Sequence, residues 1–212
     1  MRYQEIYDIT AAMRPGMPVW PGDKGFVFQW CGRIDQGAIT NSSRVTMGVH
    51  TGTHLDAPNH FIAKGDNLDA FGPERFVLEA CLVECGDVQV ITPEHVAAAD
   101  AAAGEAVIFK TANTPRRLLD KQEFTKDYAY VNADAAQACV ARGFSLVGVD
   151  YLSTDMFQAP GYPAHMAMLG AGMILLEGLV LNDVPAGRYT LIALPLKIRG
   201  AEASPVRAVL LR

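Results

Sequence analysis

The chain has 212 residues, half of them hydrophobic and only 19% charged, with a formal net charge of −5. That length fits one domain with a sizeable core, and the acidic balance leaves no footprint for nucleic acid. No apolar run reaches membrane-spanning length and no basic amphipathic helix points to a membrane surface, while the low share of charge points to surface buried between subunits.

Residues 1–5 carry no apolar signal core, which makes the cytoplasm the expected location. Residues 6–10 read as a strand, followed by the rigid, turn-rich loop Pro15-Gly16-Met17-Pro18-Val19-Trp20-Pro21-Gly22-Asp23. Aromatic alternation predicts a strand over 26–30, and 43–49 predicts another that runs straight into His50. Residues 65–73 are a loop and 77–85 a strand. Thr92 is a good N-cap with Pro93 behind it, so a helix is expected through the alanine-rich run to about Ala103, ended by Gly104. His95 on its second turn reads as a surface residue. A buried strand at 106–110 follows, then a helix over 133–142 capped by Asn132, a strand at 146–150, a short helix at 164–169 and a strand at 173–177. The tail returns to strands at 189–194 and 206–210. Cys31, Cys81, Cys85 and Cys139 lack paired motif spacing and read as buried, reduced thiols. Alternating strands and helices imply parallel strands with crossover helices, hence a single α/β domain with a β-rich layer attached to a βαβ core.

The chemistry concentrates in His50-Thr51-Gly52-Thr53-His54-Leu55-Asp56-Ala57-Pro58-Asn59-His60, which holds three of the chain's five histidines. His50, His54 and Asp56 are donors suited to a borderline divalent metal. Gly52, the two threonines and Pro58 predict an irregular loop, so convergence must come from loop shape. Asp56 could bind one metal, bridge two, or close an Asx turn. His60 could be a further ligand or an acid/base group beside the metal; four ligands in so short a loop would strain it, which favours the acid/base role. His165, opening a short helix, and Glu177, closing an apolar run, are distant candidates; a glutamate there either needs a buried partner or reaches solvent at the strand end. Trp20 and Phe61 could wall an apolar slot for an aromatic substrate. No phosphate loop, dinucleotide fingerprint or nucleophile elbow is present in the sequence.

The run from His50 to His60 resembles the H-x-G-T-H-x-D-x-P-x-H motif of the cyclase family, which includes bacterial kynurenine formamidases and isatin hydrolases. Residues 17–23, 177–181, 194–197 and 204–208 are also similar, so the likeness spans nearly the whole chain. The resemblance implies a swivelling β/β/α fold over residues 1–212 as one metal-dependent hydrolase domain, assembled as a homodimer or homotetramer. It implies a divalent metal, zinc first with manganese or iron as alternatives, one or two per subunit, at His50, His54 and Asp56. In two-metal members the positions of His165 and Glu177 complete a second site with Asp56 bridging, and that of His60 is catalytic. The activity it implies is cleavage of an amide or formamide C–N bond in a small, aromatic substrate, as in arylformamidases. The alternatives are an isatin-like lactam or lactone substrate, or a non-catalytic metal-binding protein. The chain departs from formamidase patterns at Asp150-Tyr151-Leu152-Ser153 and Pro163-Ala164-His165-Met166, which bears on substrate rather than on metal chemistry.

Overall fold

The computed structural model describes residues 3–212; Met1 and Arg2, part of the segment read as lacking a signal core, lie outside the described residues. In chain order the strands are β1 (Ile6–Asp8), β2 (Val27–Gly32), β3 (Ser42–Thr46), β4 (His54–Asp56), β5 (Val77–Glu84), β6 (Val90–Ile91), β7 (Ala106–Lys110), β8 (Tyr130–Val131), β9 (Leu146–Val149), β10 (Ile174–Glu177), β11 (Gly187–Ile192), β12 (Ala203–Pro205) and β13 (Val209–Leu211). The helices are α1 (Pro93–Ala97), α2 (Ala133–Ala141) and α3 (Pro163–Gly170).

Nine strands form one sheet in the order β1-β13-β11-β5-β7-β9-β10-β4-β12. Its centre, β5, β7, β9 and β10, is parallel. β7, β9 and β10, with the Ala80–Val83 part of β5, are the continuous buried apolar runs, and strands covered on both faces need that composition. The helices supply the crossovers and cover one face. Val107, Phe109, Val147 and Leu175 point to that side and pack with Ala135, Ala136, Cys139, Met168 and Leu169. The alternate residues Ile108, Leu146, Ile174 and Leu176 face the other way. There they share one cluster with Leu55 from one flank of the sheet and Leu191 and Leu210 from the other, so the sheet curls on itself. The result is the swivelling β/β/α arrangement.

Several elements differ from the sequence reading. The alanine run does not continue α1, which stops at Ala97. The guanidinium of Arg142, at the end of α2, donates to the carbonyls of Val96, Ala99 and Ala101, and turns that backbone outward from a helical path. His95 is half-buried rather than a surface residue, with its Nδ1 folded back to accept from the Thr92 N–H as part of a capping box. Strand β3 ends at Thr46, so His50 sits in a separate turn and not at a strand end. Near the C-terminus the expected strand begins only at Val209; Val206 makes an isolated bridge to Pro195, and the unexpected β12 precedes it.

Strands β2 and β3 form a two-stranded ribbon of their own, and nearly every residue of it is exposed. Val27, Phe28, Trp30 and Val45 present apolar surface there, with Ile34 and Ile39 in the connection. Cys31 lies on the same ribbon and is exposed, which corrects the expectation that all four thiols are buried; Cys81, Cys85 and Cys139 are, and all four are free. Burial pushes the Cys85 and Cys139 thiols up to about 12.

Candidate metal centre

The expected loop from His50 to His60 contains a strand. His54-Leu55-Asp56 is β4, fully buried and paired on both sides, with β10 and with β12. Alternation then does the sorting: Leu55 enters the curled core, while His54 and Asp56 project together to the helical face. Across the antiparallel pair, Glu177 is the direct partner of His54, and Leu175 of Asp56. A carboxylate and an imidazole 123 positions apart in sequence are thereby set side by side by the register. The turn before β4 is held against the end of β10. Thr53 Oγ1 donates to the Gly178 carbonyl at 2.6 Å and accepts from the Ala11 N–H at 2.8 Å. Gly178 sits at φ +72°, and a Cβ there would collide with the Gly52 carbonyl.

Five groups converge. His54 Nδ1 lies 2.9 Å from the Gly52 carbonyl and donates to it, which leaves the Nε2 lone pair facing Asp56 Oδ1 at 3.4 Å and Glu177 Oε2 at 3.6 Å. His50 Nδ1 is 2.8 Å from Asp56 Oδ1. On the opposite side, His165 Nε2 lies 3.3 Å from Glu177 Oε1 and 4.0 Å from Asp56 Oδ2. His54, Asp56, His165 and Glu177 are all 3% exposed or less. The strand-end alternative, Glu177 reaching solvent, therefore does not hold.

His60 is half-buried, its ring 4.1 Å from that of His50. Donor atoms of His50, Asp56 and His60 fall within 4.8 Å of one another, as do those of His54, Asp56 and Glu177, and Asp56 belongs to both sets.

The electrostatics describe a site that wants positive charge. Burial alone would lower His50, but Asp56, with Glu177 and Glu202 behind it, pushes it up to about 9. Burial also opposes charge on His165, yet hydrogen bonding to Asp155 and Glu177 and the nearby Asp56 raise it to about 10. Burial works against ionised Asp56 and is outweighed by His54 and His50, which hold the carboxyl well below its usual range. Burial holds His60 below its ordinary value. Among the described residues, His54 Nε2 and both oxygens of Asp56 are buried with no well-aligned hydrogen-bond partner, although His50 Nδ1 lies 2.8 Å from Asp56 Oδ1. Buried lone-pair atoms left without an aligned donor are costly unless a cation lies among them. The N/O donor set fits a divalent metal of the zinc, manganese and iron group.

The centre opens into a cavity of roughly 280 Å³ lined by Trp20, Asp23, Phe61, Leu152, Ser153 and Tyr162 beside His50, His54, His60, His165 and Glu177. Trp20 is wedged against Phe124 and Phe157, with ring centroids 5.2 and 5.3 Å away. Phe61 stacks on His165 at 4.5 Å. Both aromatic residues singled out in the sequence thus line the same cavity.

The family described as "Putative cyclase" matches this chain over residues 7–156. The chain belongs to that family. Among cyclase-family relatives, the kynurenine formamidase of Salinibacter ruber is 39% identical over 207 residues, covering 97% of this chain and 96% of its own. That of Erythrobacter litoralis is 36% identical, covering 98% and 94%. A solved potential metal-dependent hydrolase with cyclase activity superposes with a TM-score of 0.84 at 34% identity, covering 98% and 97%. Isatin hydrolase A of Labrenzia aggregata, bound to benzyl benzoate, gives 0.84 at 27% identity over 98% and 93%.

Sequence reasoning missed the residues behind the centre. Thr154 and Asp155 are buried against Glu177 and His165, and Glu202 stands 3.5 Å from His50 Nε2. The available signal was Ser153-Thr154-Asp155, a polar run separated by three residues from the end of the apolar strand β9, in a segment the fold buries. Asp150, directly after β9, is spent structurally, accepting from Thr111, Asn113 and Thr114. Of the two segments that depart from formamidase patterns, Leu152, Ser153 and His165 face the cavity.

Proposed function

We propose that this chain is a metal-dependent hydrolase of an amide-type C–N bond outside peptides, with a formamide on a small aromatic amine as its substrate. The observation that carries the reading is the cluster of buried donor atoms on His54 and Asp56, without well-aligned hydrogen-bond partners, opening into an aromatic-walled cavity. Zinc is the first choice of metal, with manganese or iron as alternatives, at one or two per subunit. His50, His54 and Asp56 would hold it, with His165 and Glu177 completing or sharing the set. When bound, the metal supplies Lewis acidity toward a water and toward the substrate carbonyl.

The protein's own groups do the rest. His60 borders the same cavity beside His50 and Asp56. In this reading a His60 ring nitrogen takes a proton from the attacking water and returns it to the leaving amine. Trp20 and Phe61 flank the aryl group, and Trp20 is held rigid by Phe124 and Phe157. The space between histidines and aromatic wall suits a small formyl end and a flat aryl end. The kynurenine formamidase relatives at 36–39% identity support this substrate class. The isatin hydrolase likeness supports a second reading, opening of an aromatic lactam by the same groups.

The metal-loaded protein should cleave N-formylkynurenine to formate and kynurenine with kcat/KM of about ten thousand per molar per second or more. A far lower value, with rapid opening of isatin or a lactone by the same preparation, would move the assignment to the second reading.

We also propose a homo-oligomer, a dimer or tetramer, with no nucleic-acid or membrane partner. Among the described residues no helix is long and apolar enough to cross a membrane. An isolated two-stranded ribbon is marginal in water, and the one bearing Phe28, Trp30 and Val45 needs cover that a symmetric second copy can supply. Sedimentation should give at least twice 22.9 kDa, and Trp30→Asp should shift it toward a monomer. A monomeric wild-type protein at micromolar concentration would reject the assembly. The compartment we propose is the cytoplasm.

A further inference from the structure

We infer that Thr154 and Asp155 form a rigid outer clamp that positions Glu177 and His165, the two metal-facing groups farthest from the His50–His60 segment. The inference rests on the metal reading proposed above and adds two positioning residues to it.

The geometry is directional. Both the backbone N–H and the hydroxyl of Thr154 donate to Glu177 Oε1, at 2.6 and 2.7 Å. The other oxygen, Oε2, is left facing His54 Nε2. Asp155 does the matching task for His165. Its Oδ2 lies 2.6 Å from His165 Nδ1 and accepts from the His165 N–H at 2.9 Å, while Oδ1 accepts from the Ala164 N–H at 2.9 Å. A carboxylate at Nδ1 keeps a proton on that nitrogen and aims Nε2 at Glu177 and Asp56, so that Nε2 is the nitrogen an incoming ion would take in place of a proton. The contacts to Ala164 and His165 fix the first turn of α3 to the same carboxylate, so ring and helix are oriented together.

The clamp is itself anchored away from the centre. The Thr154 carbonyl accepts from the Val131 N–H at 2.9 Å, and the Asp155 carbonyl accepts from the Tyr128 hydroxyl at 2.7 Å. Thr154 and Asp155 are each 1% exposed or less. Every bond described here is made between groups of the chain itself. Neighbours that orient ligands in this way typically change metal affinity by about 10- to 100-fold when altered.

The test is the affinity of the metal-free full chain for Zn²⁺, by chelator competition, with the Co²⁺ absorption spectrum as a coordination readout. Asp155→Asn keeps the shape and weakens binding by about 10- to 100-fold, with an altered Co²⁺ spectrum. Thr154→Val weakens it less, and Thr154→Ser, which keeps the hydroxyl, restores the wild-type value. Binding and spectrum equal to wild type in Asp155→Asn would overturn the inference. Should that variant fail to fold, equal affinity in Thr154→Val and Thr154→Ser would overturn it instead. A wild-type chain that takes up no divalent metal rejects the clamp together with the metal reading. Variants that behave as expected in a protein that cleaves no formamide reject the substrate alone.

Discussion

Asp56→Asn is expected to remove the metal-induced stabilisation of this protein entirely. Asp56 is the one residue shared by both candidate ligand sets, and both its oxygens are buried with no well-aligned hydrogen-bond donor, His50 Nδ1 lying 2.8 Å from Oδ1. An ion binding the folded state at a hundred times its Kd adds about 2.7 kcal/mol. For a chain of this size that raises Tm by about 5–10 °C. Thermal melts of the wild type with and without Zn²⁺ should show such a rise. The Asn variant, compared with its own metal-free melt, should show none, and its hydrolysis should fall to background. A wild-type shift in the variant would place the metal elsewhere.

His60→Ala is expected to separate chemistry from metal binding. Positioned acid/base groups contribute about two to four decades of rate, or roughly 3–5 kcal/mol of barrier. The variant should retain the metal content of the wild type while kcat falls by that factor. Its ring is half-buried beside His50, and it reaches the donor atoms of His50 and Asp56 within 4.8 Å. Loss of metal along with activity would therefore make His60 a ligand and leave the proton transfer to another group.

Much of the centre was legible in a few residues. The spacing of His50, His54, Asp56 and His60 pointed to a cluster of donor groups, and the structure does bring their donor atoms together. Its local structure was misread, because Gly52 and Pro58 suggested a loop throughout. The polar-apolar-polar run His54-Leu55-Asp56 is a strand whose polar face points inward, the reverse of the usual alternation. Pairing explains why Glu177 could be named as a candidate yet not placed: only the register of β10 against β4 brings it opposite His54. Thr154 and Asp155 carried no motif, since their partners lie 23 and 10 positions away. The central strands were readable because apolar continuity is a local property. The alanine run after α1 was not, because what unwinds it is Arg142, a tertiary partner about forty residues on.

In the proposed enzyme a divalent metal at His50, His54 and Asp56, completed by His165 and Glu177, would enable hydrolysis in the cavity walled by Trp20 and Phe61. Formate release from N-formylkynurenine, followed before chelation, after chelation and after Zn²⁺ is restored, tests it most directly. Activity should disappear on chelation and return in full with one or two equivalents of metal per chain. Undiminished turnover by protein shown to be free of metal would contradict it.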